Sequence, residues 1–568
     1  MCTGRGEGDV VREIRAVVSV VALWILPIGA GAATLNFQLQ RVSTQPSSSE
    51  WHQDAHDAQR TGYVPVNPDT PWTYRWTWNG AGPTAGSTSG HFYHQISSYT
   101  PWEARPVAGN GLLYVPANQY GIYALTLSSG GVKWNFRPSG TPIFQSAPAY
   151  DPATDHLYAA AANGVLYKIN CANGAEAGQY NAGNPIRKAV ALIPGYAFVV
   201  TTTGHLHKVR TSDMTTAWAA PYAAGSPAQT MPAWSAGRRV IVFGTQDLFV
   251  HCVNDSDGSR KWRVKPTSRS PGYPYEFEGG WPVVAEQHGL VFVRMNQGIG
   301  LIFDPGDWPT TMSAIRAKLE SAPQWKNLFA LNLDTGQESF TPCVGPQGVE
   351  DFGPNPNLRV HSFPVIKVLP DGKEVAYQTF RAQIAGQDPR WDSHLGEMVL
   401  DSTTVPGYVA GDLRYIDFTS AFIHITDENC PITMAGDTLF FAHWAGTGIH
   451  RITDRSNTRG GSQSNKITTV QLAPILRAST CNDGNFSPNH YQASGGAQYD
   501  HGGSGCSGRW FGAPAWYQYY GVLDPPTPLR DAYSEGVLPR YTFVSGQYVI
   551  TVGNGGDILV LQHSGTVP

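Results

Sequence analysis

The sequence predicts an all-β protein: an eight-bladed β-propeller of four-stranded antiparallel blades. Short apolar runs recur throughout the 568 residues, separated by turns drawn from 62 glycines and 42 prolines. One pattern of runs returns eight times in a fixed order, and the last repeat lacks a strand. Only 14% of residues are charged, 39 basic against 43 acidic. This near-neutral balance argues against a nucleic-acid partner, which would favour a clustered basic excess.

The N-terminus has the pattern of a secretory signal peptide over residues 1–33. Arg12 and Arg15 precede the apolar run Ala16–Pro27, and small residues follow up to Ala33. An uncleaved membrane anchor is the alternative, because Ala16–Ala33 is 18 residues long. Pro27 and the small residues favour cleavage. We therefore expect a secreted or extracytoplasmic protein with no membrane span after cleavage, a flexible Ser/Gln-rich spacer at 34–50 and one folded domain at 51–568.

Glu103–Phe136 supplies the template for a blade, with four short apolar runs and Gly-rich breaks between them. Its opening pattern is a proline, two or three β-forming residues, a Gly or Asp turn and a second β run. The eight repeats begin at Pro106, Pro148, Ala189, Pro232, Pro282, Pro364, Pro431 and Pro539. A third run follows in each repeat, including Gly411–Asp417 (GDLRYID) in blade six. Trp134, Trp218 and Trp262 begin a fourth run in three repeats.

The eighth repeat has three strands before the chain ends, while Tyr74–Asn79 (YRWTWN) is an isolated strand near the start. Pairing this N-terminal strand into the last blade would close the ring and remove two open edges. Insertions are expected at about 296–325, 381–411 and 473–536, and Thr310–Ser321 predicts a short helix with a Thr cap. Each insertion either joins a second strand to a third or joins two blades, so all three should lie on one face.

The repeats resemble those of the pyrroloquinoline-quinone (PQQ)-type propeller family. The resemblance rests on DAQRTGY near the start, YALTLSSGGVKWNF in the first repeat and LFALNLDTGQESF in the fifth. It covers most of Trp51–Gln562. The family includes quinoprotein dehydrogenases and also non-enzymatic scaffolds, among them the lipoprotein that assists outer-membrane protein assembly. The resemblance therefore implies a fold and leaves both kinds of function open.

Residues just before these eight repeat starts should surround the mouth of the channel on the insertion-bearing face. They are candidates for holding a cofactor: Glu103, Gln145, Arg187, Gln229, Glu278, His361, Glu428 and Glu535. The resemblance implies PQQ and Ca²⁺ as the cofactors of an enzyme at such a site. An ordinary solvated channel mouth is the alternative, because an eight-bladed channel needs no apolar filling.

The resemblance also implies what a quinoprotein dehydrogenase would use: a tryptophan floor, a disulfide between adjacent cysteines, calcium ligands and an Asp base. The sequence has neither a Cys-Cys pair nor a Cys-x-x-Cys-His motif for haem attachment. Their absence weakens the enzyme hypothesis without excluding it.

The insertions contain two further candidate groups. Asp392, His394 and Glu397 are candidate metal ligands, although a solvated loop is the alternative. Export would leave six cysteines, and Cys481 and Cys506 are the candidate disulfide. The aromatic residues of the last insertion could form a contact surface or the loop's own small core.

Two function classes follow. The first is a secreted binding or scaffold propeller that uses its insertion-bearing face to hold a protein, a polysaccharide or another copy of itself. The second is a PQQ- and calcium-dependent dehydrogenase that oxidises alcohols or sugars at a divergent site. The missing cysteine motifs favour the first.

Overall fold

The computed structural model describes residues 48–69, 72–78, 104–297, 309, 311–344, 363–370, 372–381, 393–403, 405–415, 431–443, 446–452, 467–472, 539–553 and 558–567. Two N-terminal strands, β1 (Tyr63–Val64) and β2 (Thr73–Trp78), precede eight consecutive sheets. The signal-peptide prediction and the spacer up to Ser47 lie outside the described residues.

Blades one to four follow the predicted order, each with strands that pair in sequence from the innermost to the outermost. Blade one comprises β3 (Val107–Gly109), β4 (Leu112–Pro116), β5 (Ile122–Thr126) and β6 (Val132–Phe136). Blade two comprises β7 (Ala149–Asp151), β8 (His156–Ala160), β9 (Val165–Asn170) and β10 (Glu176–Asn181). Blade three comprises β11 (Ala191–Ile193), β12 (Tyr196–Val200), β13 (His205–Arg210) and β14 (Tyr222–Ala223). Blade four comprises β15 (Ala233–Ser235), β16 (Val240–Gly244), β17 (Val250–Asn254) and β18 (Arg260–Val264).

Blades five to eight complete the ring. Blade five comprises β19 (Val283–Ala285), β20 (Leu290–Arg294), β21 (Leu328–Asn332) and β22 (Glu338–Phe340). Blade six comprises β23 (Val365–Val368), β24 (Glu374–Arg381), β25 (Ser393–Met398) and β26 (Leu413–Tyr415). Blade seven comprises β27 (Thr433–Ala435), β28 (Thr438–His443), β29 (Gly446–Ile452) and β30 (Ile467–Leu472). Blade eight comprises β31 (Pro539–Ser545), β32 (Tyr548–Gly553) and β33 (Ile558–Gln562) with β2 as its fourth strand.

The eighth blade confirms the predicted closure, because β2 pairs antiparallel with β33 from Thr73↔Gln562 to Trp78↔Ile558. Blade six differs from the prediction. Its third strand is β25, which lies within the stretch assigned to an insertion at 381–411, and Leu413–Tyr415 is the fourth strand instead. SHLGEM is a weak strand sequence with a glycine and no β-branched residue, so its pairing is set by the neighbouring strand.

Tryptophans join successive blades in a repeated contact. An indole N–H donates to the carbonyl that follows the third strand of the next blade, and the ring covers a glycine in the turn beyond it. The pairs are Trp76–Leu127, Trp134–Cys171, Trp218–Asp255 and Trp262–Leu333, at 2.7–2.9 Å. Trp218 makes this contact although it lies before β14 rather than inside a strand.

Two faces can be distinguished from the strand order. The insertion face carries the connections between blades and the turns between second and third strands. The two kinds of connection are bonded together there, as in Thr202 N–H to the Pro185 carbonyl and Gln246 N–H to the Pro227 carbonyl, both 2.8 Å. The opposite hairpin face carries the turns between first and second and between third and fourth strands.

The predicted short helix is present as α1 (Met312–Ser321), in the connection between β20 and β21. Thr311 is its N-cap and accepts a hydrogen bond from Ala314 N–H, as the sequence predicted. Ile315 and Leu319 pack beside Cys343, so the helix is fixed to the blade. In the part of the chain that the structure describes, no helix is long and apolar enough to cross a membrane.

Candidate functional site

The N-terminal segment Trp51–Val64, here called the hub, crosses the innermost strands of the blades one after another. Backbone carbonyls of the hub accept hydrogen bonds of 2.8–2.9 Å from the second residue of six innermost strands. These pairs are Trp51–Ala108, His52–Tyr150, Ala58–Trp234, Gln59–Val284, Thr61–Ile366 and Gly62–Met434. Blade three is bound through a side chain, since Gln53 exchanges two hydrogen bonds of 2.8 Å with the backbone of Leu192. Blade eight supplies Ser545 Oγ, which accepts from Trp51 N–H at 3.0 Å.

The hub therefore contacts all eight blades, and it occupies the axis, where the sequence suggested a solvated channel. The reason is chemical. Each innermost strand presents an unpaired edge, and its N–H groups require acceptors unless water reaches them. The hub offers carbonyls at the required positions, and left-handed backbone at Ala55, His56, Arg60 and Gly62 lets it turn between blades.

Two charged side chains of the hub, Arg60 and Asp54, are buried and hydrogen-bonded. Arg60 is 0% exposed, and its guanidinium donates to the carbonyls of Asp54, Val190 and Pro232 at 2.9–3.1 Å. Asp54, 1% exposed, accepts two hydrogen bonds of 2.6 and 2.7 Å from Arg105 at the start of blade one. A bidentate pair of this kind is costly to bury and is strongly held once it is formed.

The axis is covered on the insertion face by aromatic and charged side chains. The Arg105 guanidinium lies 4.6 Å from the centroid of the Trp281 ring, and Phe363 stacks on the same indole at 4.3 Å. Trp281 is only 4% exposed as a result. Blades one, five and six therefore meet above the hub through these three side chains.

Four of the predicted channel-mouth residues are described, and the structure places each on the insertion face. Gln229 is buried, and its side-chain oxygen accepts from Phe277 N–H at 2.8 Å, which is a structural role. Glu278 accepts from Lys188 at 2.6 Å, joining the connections that lead into blades three and five. Arg187 is exposed, and Gln145 is half-buried. The other four, Glu103, His361, Glu428 and Glu535, lie outside the described residues.

Two of the three candidate metal ligands, His394 and Glu397, lie in strand β25 rather than in a loop. Glu397 is 2% exposed and accepts from Arg414 at 3.1 Å. His394 is three positions away in the same strand, and an odd separation puts two positions on opposite faces of a sheet. Asp392 lies outside the described residues. Among the residues that the structure describes, no cluster of three His, Cys, Asp or Glu side chains forms a metal site.

Three cysteines are described, and all three are free and buried: Cys171, Cys252 and Cys343. Burial raises the pKa of each thiol to about 12, so none is a nucleophile at neutral pH. None of these three cysteines is therefore in a disulfide. Cys481 and Cys506 lie outside the described residues, so their pairing stays a prediction.

Comparison with known proteins finds one matching family model. Residues 88–341 match the family model described as "Outer membrane protein assembly factor BamB", a PQQ-type repeat model. The repeats are of the PQQ type. This confirms the resemblance found in the sequence over that part of the chain. No curated protein sequence matches the chain significantly.

Several solved structures are similar to the chain at low sequence identity and with TM-scores below 0.5. BamB from Moraxella catarrhalis is 10% identical, with 81% of this chain and 96% of that chain covered and a TM-score of 0.43. Quinohemoprotein alcohol dehydrogenase from Comamonas testosteroni is 12% identical, with 76% and 75% covered and a TM-score of 0.46. The alcohol dehydrogenase ADHIIG from Pseudomonas putida HK5 is 10% identical, with 92% and 81% covered and a TM-score of 0.46. Such likeness concerns the fold and does not separate a scaffold from an enzyme.

The described residues of the insertion face do not fit a quinone cofactor. A quinone would need an exposed aromatic face to lie on, and the Trp281 ring is covered by Arg105 and Phe363. The nearby carboxylate of Glu278 is held by Lys188 instead of facing an open cation position. We therefore derive no catalytic step through PQQ.

Proposed function

We propose that this protein is an extracytoplasmic binding scaffold that holds a partner on its insertion face. The observation that supports the proposal best is the hub, which fills the axis with chain and bonds to every blade. An axis filled in this way provides rigidity rather than a cleft for a small substrate. The N-terminal signal pattern supports export, and the insertions expected at about 296–325 and 473–536 would add contact surface to this face.

The dehydrogenase hypothesis is tested by reconstitution. The purified chain is incubated with PQQ and CaCl₂, freed of unbound quinone, and assayed for dye-linked oxidation of alcohols and sugars. We expect neither retained quinone absorbance nor activity above the rate of the buffer. Stoichiometric quinone together with activity would overturn the scaffold proposal.

The choice of face is tested by site-specific cross-linking in the native host. A photoreactive amino acid replaces Arg187 on the insertion face or, as the matched control, Asp257 in a third-to-fourth-strand turn of the hairpin face; both positions are exposed. Adducts are expected from position 187 and not from 257, and excess unlabelled protein should compete with them. Equal labelling from both positions would contradict the proposal.

The same experiment separates the classes of partner. An adduct of twice the chain mass, with a matching dimer in light scattering, would assign the face to self-assembly. A discrete adduct with another polypeptide would assign it to a protein partner. Binding to immobilised polysaccharide that is lost in the variant Arg187→Glu would assign it to a carbohydrate.

A further inference from the structure

We propose that the axial surface of the propeller is a binding site for an extended peptide, and that the hub is the ligand which this chain supplies in cis. The proposal goes beyond the scaffold function, since it concerns the axis and not the insertion face. Three observations support it: the hydrogen bonds to the hub are regular, side chains make the site selective for the hub sequence, and the blades keep their four strands without the hub.

The hydrogen bonds between the hub and the blades repeat at one strand position, whereas the contacts of an ordinary loop are irregular. The same position, the second residue of the innermost strand, binds the hub in blades one to seven. Ala108, Leu192 and Met434 are three examples from widely separated blades. Main-chain donors arrayed along edge strands are the usual means by which proteins capture extended peptides. The ring presents such donors around a circle.

Side chains make the site selective for this sequence. Gln53 satisfies both the N–H and the carbonyl of Leu192, so a residue without a terminal amide would leave one of them unpaired. Arg60 reaches Pro232 and Val190 in two different blades. Asp54 is matched by the Arg105 guanidinium. An amide, a carboxylate and a guanidinium at these spacings define the ligand class.

The hub is separable from the blades because it lies across their strands and not within their ladders. Blades one to six each have four strands without any hub residue. In blade seven the hub contributes only β1, two residues parallel to β27, beside a sheet that already has four strands. Removing the hub would therefore expose edge N–H groups and apolar contacts and would break only the two-residue β1–β27 pairing, leaving the four strands of every blade paired.

Apolar contacts add affinity at both ends of the hub. Trp51 is 0% exposed, and its ring lies 5.2 Å from that of Phe543 in blade eight. Val64 is 0% exposed in the same cluster of buried side chains. Anchors at the two ends, with polar bonds between them, are the arrangement expected of a bound peptide.

The test uses the full chain with a protease recognition sequence inserted between Asp69 and Trp72, so that cleavage frees the hub and leaves β2 on blade eight. We expect the cleaved N-terminal fragment to co-elute with the ring in size-exclusion chromatography. A fluorescent synthetic peptide spanning Trp51–Val66 should then replace it in excess, while the circular dichroism of the ring is unchanged.

Variant peptides provide the matched controls. The substitution Arg60→Gln in the synthetic peptide should weaken incorporation at least roughly tenfold, because buried carbonyls lose their donor. A peptide of the same composition in scrambled order should not incorporate. Two results would overturn the proposal. One is a ring that stays folded and takes up neither the fragment nor the peptide; the other is a ring that unfolds as soon as the hub leaves, which would make the hub an integral part of the fold.

Discussion

The indole N–H of Trp76 donates a 2.7 Å hydrogen bond to the carbonyl of Leu127. Trp76 lies in β2, the strand that the N-terminus adds to blade eight, whereas Leu127 follows the third strand of blade one. The same contact joins blades one and two, three and four, and four and five. The added strand thus carries the blade-to-blade contact across the point where the ring closes.

The glycine beneath Trp76 gives a prediction about this contact. Gly130 has φ +72°, and a Cβ there would lie 2.6 Å from the indole. Gly111 has a similar φ of +71° with nothing within 4 Å, so it isolates the backbone effect. We expect Gly111→Ala to cost about 1–2 kcal/mol of unfolding free energy from left-handed strain. Gly130→Ala should cost about 1–3 kcal/mol more because of overpacking. Urea unfolding midpoints measure the two losses of stability. Equal losses for Gly111→Ala and Gly130→Ala would contradict the packing of the Trp76 ring on Gly130.

Because Asp54 and Arg105 form a buried ion pair, we expect the effects of substitutions at the two positions on unfolding free energy to be strongly coupled. Arg105→Gln would leave the Asp54 carboxylate buried without its guanidinium, and we expect a loss of about 3–5 kcal/mol. Adding Asp54→Asn removes the stranded charge, so the double variant should recover more than half of that loss. A double-mutant cycle by urea unfolding measures the coupling. If the stability losses of the two single variants simply add in the double variant, the two side chains do not stabilise each other.

Two buried histidines predict loss of stability in acid. Burial lowers the pKa of His207 and of His251 from 6.5 to about 4, and each ring lies 2.9 Å from a tyrosine hydroxyl of the preceding blade. The unfolded chain binds these protons near pH 6.5 and the folded chain only near pH 4. Stability is therefore complete above about 6.5 and falls as the pH drops to about 4, by up to about 3 kcal/mol for each residue.

The measurement is the unfolding midpoint at pH 8, 7, 5.5 and 4.5. The variant His207→Gln/His251→Gln keeps polar partners for Tyr180 and Tyr222 but cannot titrate, so it should flatten the decline below pH 6.5. Between pH 7 and 8 the two proteins should behave alike. An unchanged decline in the variant would assign the acid sensitivity to other groups.

The three buried thiols predict selective labelling. Because burial raises the pKa of Cys171, Cys252 and Cys343 to about 12, iodoacetamide at pH 8 should leave them unmodified in the folded protein. Denaturant should expose all three. Peptide mass spectrometry reads each cysteine separately, and modification of Cys252 in the folded state would show that blade four opens.

The sequence predicted the blades well because each contains its own hydrophobic pattern and turn signals. Blade six is the exception: Ser393–Met398 has little strand character, and the stronger pattern at Leu413–Tyr415 predicts the third strand there, where the structure has the fourth. Propensity could not locate a strand that depends on pairing with β24.

The hub was not predicted for a related reason. Its residues follow neither a period of 2 nor one of 3.6, because it crosses strands and joins a sheet only through the two residues of β1. The repeat pattern predicted which residues precede the innermost strand of each blade. It could not show that Glu278 would pair with Lys188 or that Gln229 would bind Phe277, since such partners come from other blades.

The hub has a consequence for biosynthesis. Trp51 bonds to Ser545 across 494 residues, so one of the first described positions to be synthesised cannot reach its final place until the last blade exists. Blades can form in order as the chain emerges, each from local hairpins. The N-terminal segment must wait beside them. A chain that stops before blade eight would thus lack the Ser545 acceptor for Trp51 and the β33 partner for β2, so both of its ends would be incompletely paired.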